Sequence, residues 1–213
     1  MEKERMTITR GLRELKLLDD RLMKTISEMK FVDVYQGKNP GVVLISKKQK
    51  AVFESDIKEK IQSYEALLKR RTAIKSAIMK SNSENKIRIA SKEYFVIDAI
   101  EKKSSLKYDK EFLKKMRSDW VQISNNIESN RVNIENQVNT IVTQAFGANK
   151  TNDKETYDNI AKPFIEANEL KLVNPVDIYK RIEELDKEIV EFEAEVDFVL
   201  SESNAKVEIE IEI

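Results

Sequence analysis

IDAIEKKSSLKYDKEFLKKMRSDWVQISNNIESNRVNIENQVNTIVTQAF, residues 97–146, is the stretch on which the fold turns. Leu106, Leu113, Trp120, Ile127, Ile134 and Ile141 recur every seven residues, and Met116 and Ile123 follow two of them at a spacing of three. No proline or glycine interrupts the run before Gly147, a residue suited to ending a helix. Heptads sustained this long predict coiled-coil packing. A helix over 97–146 would extend ~75 Å at 1.5 Å per residue. Asn130 and Gln137 fall where the Met116–Ile123 row would continue. They mark either a solvated seam beyond Ile127 or a polar layer fixing register and partner number, as buried asparagine does in coiled coils.

Helical spacing recurs on both sides of this stretch. Ile8, Leu12, Leu15, Leu18, Leu22, Ile26 and Met29 stand three or four apart, with Thr7 or Thr9 as caps, and predict a helix over about 9–30. Phe53, Ile57, Ile61, Tyr64, Leu68, Ile74 and Ile78 predict one over 48–81, with Arg71 where a further apolar residue would belong. A short helix over 152–168 would use Tyr157, Ile160 and Phe164. Asn174-Pro175 reads as N-cap and first helical position of a last helix over 175–203, striped by Ile178, Ile182, Leu185, Ile189, Phe192, Val196 and Val199.

Between helices the period shortens to two. Residues 31–45 read as a hairpin about Gly37 to Gly41, and 86–96 as strand, tight turn, strand. In 206–213, Val207, Ile209, Ile211 and Ile213 alternate with glutamates, giving a strand with one apolar and one acidic face. The two polar corners Ser83-Glu84-Asn85-Lys86 and Ser203-Asn204-Ala205-Lys206 resemble each other. They suggest that both following strands join one sheet, Lys86 and Arg88 facing Glu208 or Glu210 across it. An open edge on such a strand would also serve self-association. The predicted fold is mainly α: long antiparallel helices with coiled-coil packing and a small β-hairpin tip, in a single elongated domain spanning 1–213.

Composition bounds the chemistry. Charged residues make up 36% of 213 residues and apolar ones 40%, with only four Gly and three Pro, as long helices with wet outer faces require. Lys plus Arg and Asp plus Glu both number 38, so no net charge draws the chain to nucleic acid or an anionic membrane. There is no Cys and no His. That removes thiol nucleophiles, disulfides, Cys/His metal sites and every triad with an imidazole base. Carboxylate pairs such as Asp19-Asp20 and Glu183-Glu184 read as solvated helix faces rather than an acid–base or Mg²⁺ site. Lys69-Arg70-Arg71 could contact phosphate, although ion pairs are the simpler use. Trp120 lies in the heptad row, which makes it a packing residue rather than a base-stacking platform. No catalytic, cofactor or metal residues are expected. The absence of an apolar leader near Met1 and of any membrane-length apolar run points to the cytoplasm.

Lys69-Arg70-Arg71-Thr72-Ala73-Ile74, Ser81-Asn82, Lys86-Ile87-Arg88-Ile89, Lys92-Glu93-Tyr94 and Asp98-Ala99-Ile100-Glu101 resemble the helix–hairpin–helix core of the septicolysin-like proteins, small bacterial coiled-coil proteins. The resemblance covers about a sixth of the chain. This sequence departs from it in having Ala90-Ser91 where the hairpin turn would carry glycine, and in its acidic terminal strand. The whole chain is also similar to proteins carried by phages and prophages of low-GC Gram-positive bacteria. The resemblance brings no catalytic residues. It implies a non-enzymatic structural or assembly protein that forms homo-oligomers or joins a larger protein assembly, in the host cytoplasm or a phage particle. The alternative is a cytoplasmic adaptor binding a host protein or nucleic acid through Lys69-Arg70-Arg71. The residues expected at interfaces are Val207, Ile209, Ile211, Ile213, Arg88, Asn130 and Gln137.

Overall fold

The computed structural model describes residues 3–35, 44, 49–146 and 154–212. Among them are five helices and four short strands, in the order β1 (Lys3–Thr7), α1 (Ile8–Glu28), α2 (Lys50–Glu84), β2 (Lys86–Ile89), β3 (Lys92–Phe95), α3 (Val96–Phe146), α4 (Lys154–Asn168), α5 (Ile178–Lys206) and β4 (Glu208–Glu212). The chain divides into two compact units. One comprises Met1–Lys103 with Phe192–Ile213, the other Ser104–Glu191.

The first unit is built on α1 and α2. Gly11 lies against Ile74 and Ile78, Glu14 meets Arg70, Asp19 meets Arg71, and Lys60 Nζ donates to the Glu28 carbonyl. The partners run in opposite order along the two helices, so the pair is antiparallel. A Cβ on Gly11 would stand 3.3 Å from Ile78 and Ile209, so the missing side chain is what lets α1 approach this closely. Over the pair lies an antiparallel two-stranded sheet, β1 with β4, in the register Arg5↔Glu210 and Met6↔Ile209. Residues directly opposite share a face. Met6, Ile209 and Ile211 therefore point down into a core with Ile8, Leu18, Ile74 and Ile78, while Lys3, Arg5 and the glutamates of β4 point out.

This pairing corrects the expectation that the terminal strand joins Lys86–Ile89. β2 instead pairs with β3 in a separate antiparallel hairpin, in the register Arg88↔Glu93. A two-residue turn closes that hairpin locally, at a small cost in chain entropy. The true partner of β4 is the N-terminal strand, which runs directly into α1. Thr7 caps that helix through Oγ1, and Ile8 N donates to the Val207 carbonyl at 3.0 Å.

The hairpin turn takes its shape without glycine. Ala90 and Ser91 adopt φ of 49° and 65°. Positive φ at both central residues is the type I′ geometry, which matches strand twist but disfavours residues with a Cβ. Ala90 N donates to Glu195 Oε2 at 2.8 Å, which helps hold the turn. Ser91→Gly is expected to raise the stability of this unit by about 0.5–1 kcal/mol, the left-handed penalty less glycine's own entropic cost. Thermal melting of the two proteins side by side checks it. Beneath the hairpin, Phe192 is 1% exposed and meets the Tyr94 ring edge-on at 5.7 Å, with Lys102 Nζ 4.9 Å from its ring centre.

In the second unit, Ile134, Val138, Val142 and Ala161 form a core with Phe164 against it. Trp120 packs against Tyr179 with ring centres 6.2 Å apart, and Arg117 pairs with Asp186 at 2.8 Å. Burial departs from the seven-residue row here. Leu106, Leu113 and Ile134 are buried and Trp120, Ile127 and Ile141 half-buried, but Ile123 is exposed. A row spaced by seven drifts about 20° per repeat around a 3.6-residue helix, so the buried face passes to Val138 and Val142.

Two local expectations are corrected. Phe31, Val32 and Val34 are exposed and the 31–35 segment carries no strand, having no strand partner among the described residues. The rest of that proposed hairpin, apart from Leu44, lies outside the described residues. Asn174-Pro175 opens a turn rather than α5. Asp177 takes φ of 47°, which breaks the helical path, and the helix begins at Ile178, whose N–H is accepted by Asn174 Oδ1 at 2.9 Å.

Candidate interaction surfaces

Val207 is half-buried, and Ile209 and Ile211 are 4% and 2% exposed, all packed in the core of the first unit. Ile213 lies outside the described residues. Arg88 is exposed on β2 opposite Glu93 and does not face the terminal strand. What β4 offers to solvent is its acidic face. There Glu210 accepts from Lys3 Nζ at 2.7 Å and from Arg5 Nε at 3.0 Å, and Lys3 lies 3.4 Å from Glu212.

Lys69-Arg70-Arg71 resolves into ion pairs between helices. Arg70 reaches Glu14 and, at 3.0 Å, Glu4; Arg71 reaches Asp19. Arg71 thus occupies the gap in the apolar row of α2 because it has a carboxylate on α1 to meet. Hydrogen bonds from these cations hold three carboxyls below their ordinary values: Glu4 through Arg70, Asp19 through Arg71, and Glu210 through Lys3 and then Arg5. Each group binds its proton less readily folded than unfolded. Each therefore stabilises the fold above the ordinary carboxylate range, and that contribution is lost as pH falls through the lowered values. The melting temperature is expected to stay level from neutrality to about pH 5 and to fall below about pH 4. Glu210→Gln should reduce that acid-side fall, as melts in a pH series would show.

Asn130 and Gln137 part company. Gln137 is exposed. Asn130 is half-buried, and its amide brackets the chain just past α4: Nδ2 donates to the Asn168 carbonyl at 3.3 Å and Oδ1 accepts from Leu170 N at 3.0 Å. The side chain satisfies a carbonyl that the end of α4 leaves open and an amide of the chain just beyond it. Asn130→Ala is expected to cost about 1–2 kcal/mol, two hydrogen bonds at their usual net worth. It should also speed hydrogen exchange at the Leu170 amide, read by mass spectrometry or NMR.

Large apolar side chains remain uncovered in the second unit. On α3, Tyr108, Phe112 and Ile123 are 68%, 52% and 42% exposed and border the buried row on one side. After α4, Leu170, Leu172, Val173 and Val176 are also exposed. Among the described residues no group of three or more acidic side chains is arranged to hold a metal ion, and no helix is long and apolar enough to cross a membrane. Glu195 accepts from the Ala90 amide. No family model, curated protein or solved structure matches the chain.

Proposed function

We propose that this chain is a non-enzymatic assembly protein that associates with further copies of itself through helix faces, packing in coiled-coil fashion, as a component of a phage particle or of its assembly. The observation that carries this reading is the row of Tyr108, Phe112 and Ile123 left in solvent beside the buried row of α3. Apolar side chains left in solvent beside a buried row on a charged helix are what a partner helix covers. The phage setting is an expectation drawn from the sequence resemblance alone. Ile209 and Ile211 lie in the chain's own core, so the helix faces rather than the apolar face of the terminal strand are the contact surface. The adaptor reading relied on Lys69-Arg70-Arg71, of which two cations are already matched to Glu4, Glu14 and Asp19.

The test is sedimentation of the chain and of its Tyr108→Glu, Phe112→Glu double variant. The reading expects an oligomer that the variant converts to monomer while its helical circular dichroism stays unchanged. An oligomer of the same mass in both would refute the assigned face.

A further inference from the structure

The cations of α1 that the ion pairs leave over lie together. Between α1 and α2 runs a groove of about 370 Å³ walled by Arg10, Arg13, Arg21 and Arg70, with Leu17 and Leu67 among its apolar residues. Four of the chain's ten arginines thus meet at one place in a protein of zero formal net charge. The only carboxylate in the wall, Glu14, is held by Arg70. Arg10 has a distant contact with Glu4 at 3.9 Å, while Arg13 and Arg21 have no ion pair among the described residues. Arg10, Arg13, Leu17, Arg21 and Lys24 follow at spacings of three and four, so they form one stripe ~21 Å long at 1.5 Å per residue. Leu17, at its centre, is 58% exposed.

We infer that this groove docks an acidic amphipathic helix of a partner protein, with carboxylates set against Arg10, Arg13 and Arg21 and an apolar side chain over Leu17. Guanidinium groups bind carboxylates in a two-pronged geometry that lysine lacks. The same groups would bind phosphate, but two features favour a helix over nucleic acid. The groove carries leucines along its length, and it has no aromatic ring on which a base could stack. A helix laid alongside α1 would repeat its spacing of three and four and meet each cation in turn. The inference is independent of the self-association proposed above, which uses a different unit of the chain.

The test uses fluorescence anisotropy with two labelled probes. One is a synthetic Glu-rich helical peptide with leucine at heptad positions, about 21 residues long to span ~30 Å. The other is a single-stranded oligonucleotide of about the same number of nucleotides. The full chain is compared with an Arg13→Glu, Arg21→Glu variant, and with Arg13→Gln, Arg21→Gln should the first fail to fold. Arg70 is left intact because it joins the two helices. The expected result is saturable peptide binding, weakened at least about tenfold by the substitutions and by raising salt from about 0.05 M to about 0.3 M. No peptide binding, or binding indifferent to the substitutions, would overturn the inference. Tighter binding of the oligonucleotide would overturn it in favour of a phosphate-reading surface. Loss of self-association in the variant would overturn it in favour of a second copy in the groove.

Discussion

Phe192→Ala is expected to destabilise the first unit by about 3–5 kcal/mol, the usual cost of emptying a buried aromatic site. The ring is almost wholly enclosed, carries an edge-on contact with Tyr94, and has Lys102 Nζ over its face. It is also where α5 enters this unit, beside the Glu195 carboxylate that holds the hairpin turn. Folded domains are commonly stable by only about 5–15 kcal/mol, so one such loss is a large fraction of the total. Urea denaturation is the measurement. The midpoint should drop with little change in slope, since the folded surface is otherwise preserved. A midpoint within a few tenths of a molar of the parent's would mean that the β2–β3 hairpin and α5 do not depend on this ring.

A chain ending at Ala205 is expected to lose the folded sheet and much of the first unit. The deletion removes Ile209 and Ile211, whose burial is worth about 1.5–3 kcal/mol each. It also strips β1 of its partner strand and uncovers Ile74 and Ile78. Limited proteolysis should then cut within β1 and α1 at protease levels that leave the full chain whole, while α3 and α4 persist longer. If the shortened chain resists as well as the parent, β4 is not part of the core. The expected instability also changes how such a truncation is interpreted: a loss of oligomer would report unfolding, not a lost contact. Introducing charge on the exposed face of α3 is the cleaner probe of association, because it leaves the core untouched.

The long helices were legible in the sequence because their apolar rows are long and their breakers few. The predicted range 97–146 lies within a residue of α3 at each end. The β2–β3 hairpin was legible too, from alternation around Ala90-Ser91, although its turn uses two non-glycine residues at positive φ. Strand β1 was not. Lys3–Thr7 has one fully buried side chain, Met6, and charges on both sides of it, too little alternation to distinguish from a polar lead-in. With β1 illegible, the sequence pairs the terminal strand with Lys86–Ile89, whereas the fold pairs it with Lys3–Thr7.

Asn130 stood out as a polar residue in an apolar row, but its use was not readable. The backbone it brackets lies about forty residues away in sequence. The arginine groove was hidden for a similar reason. Arg10, Arg13 and Arg21 are interrupted by Glu14, Asp19 and Asp20, so the charge run looks balanced. Folding segregates it: Glu14 and Asp19 turn to the arginines of α2 and leave the other cations to solvent. By contrast, the conspicuous Lys69-Arg70-Arg71 is largely consumed by holding two helices together.

The measurement that tests the proposed function most directly is the mass of the intact chain by light scattering coupled to size exclusion, over a dilution series. Association through exposed helix faces predicts a defined mass at a whole-number multiple of the chain, falling toward a single chain on dilution. A single-chain mass at every concentration up to the highest the protein tolerates would contradict it, and would leave Tyr108, Phe112 and Ile123 without a second copy to cover them.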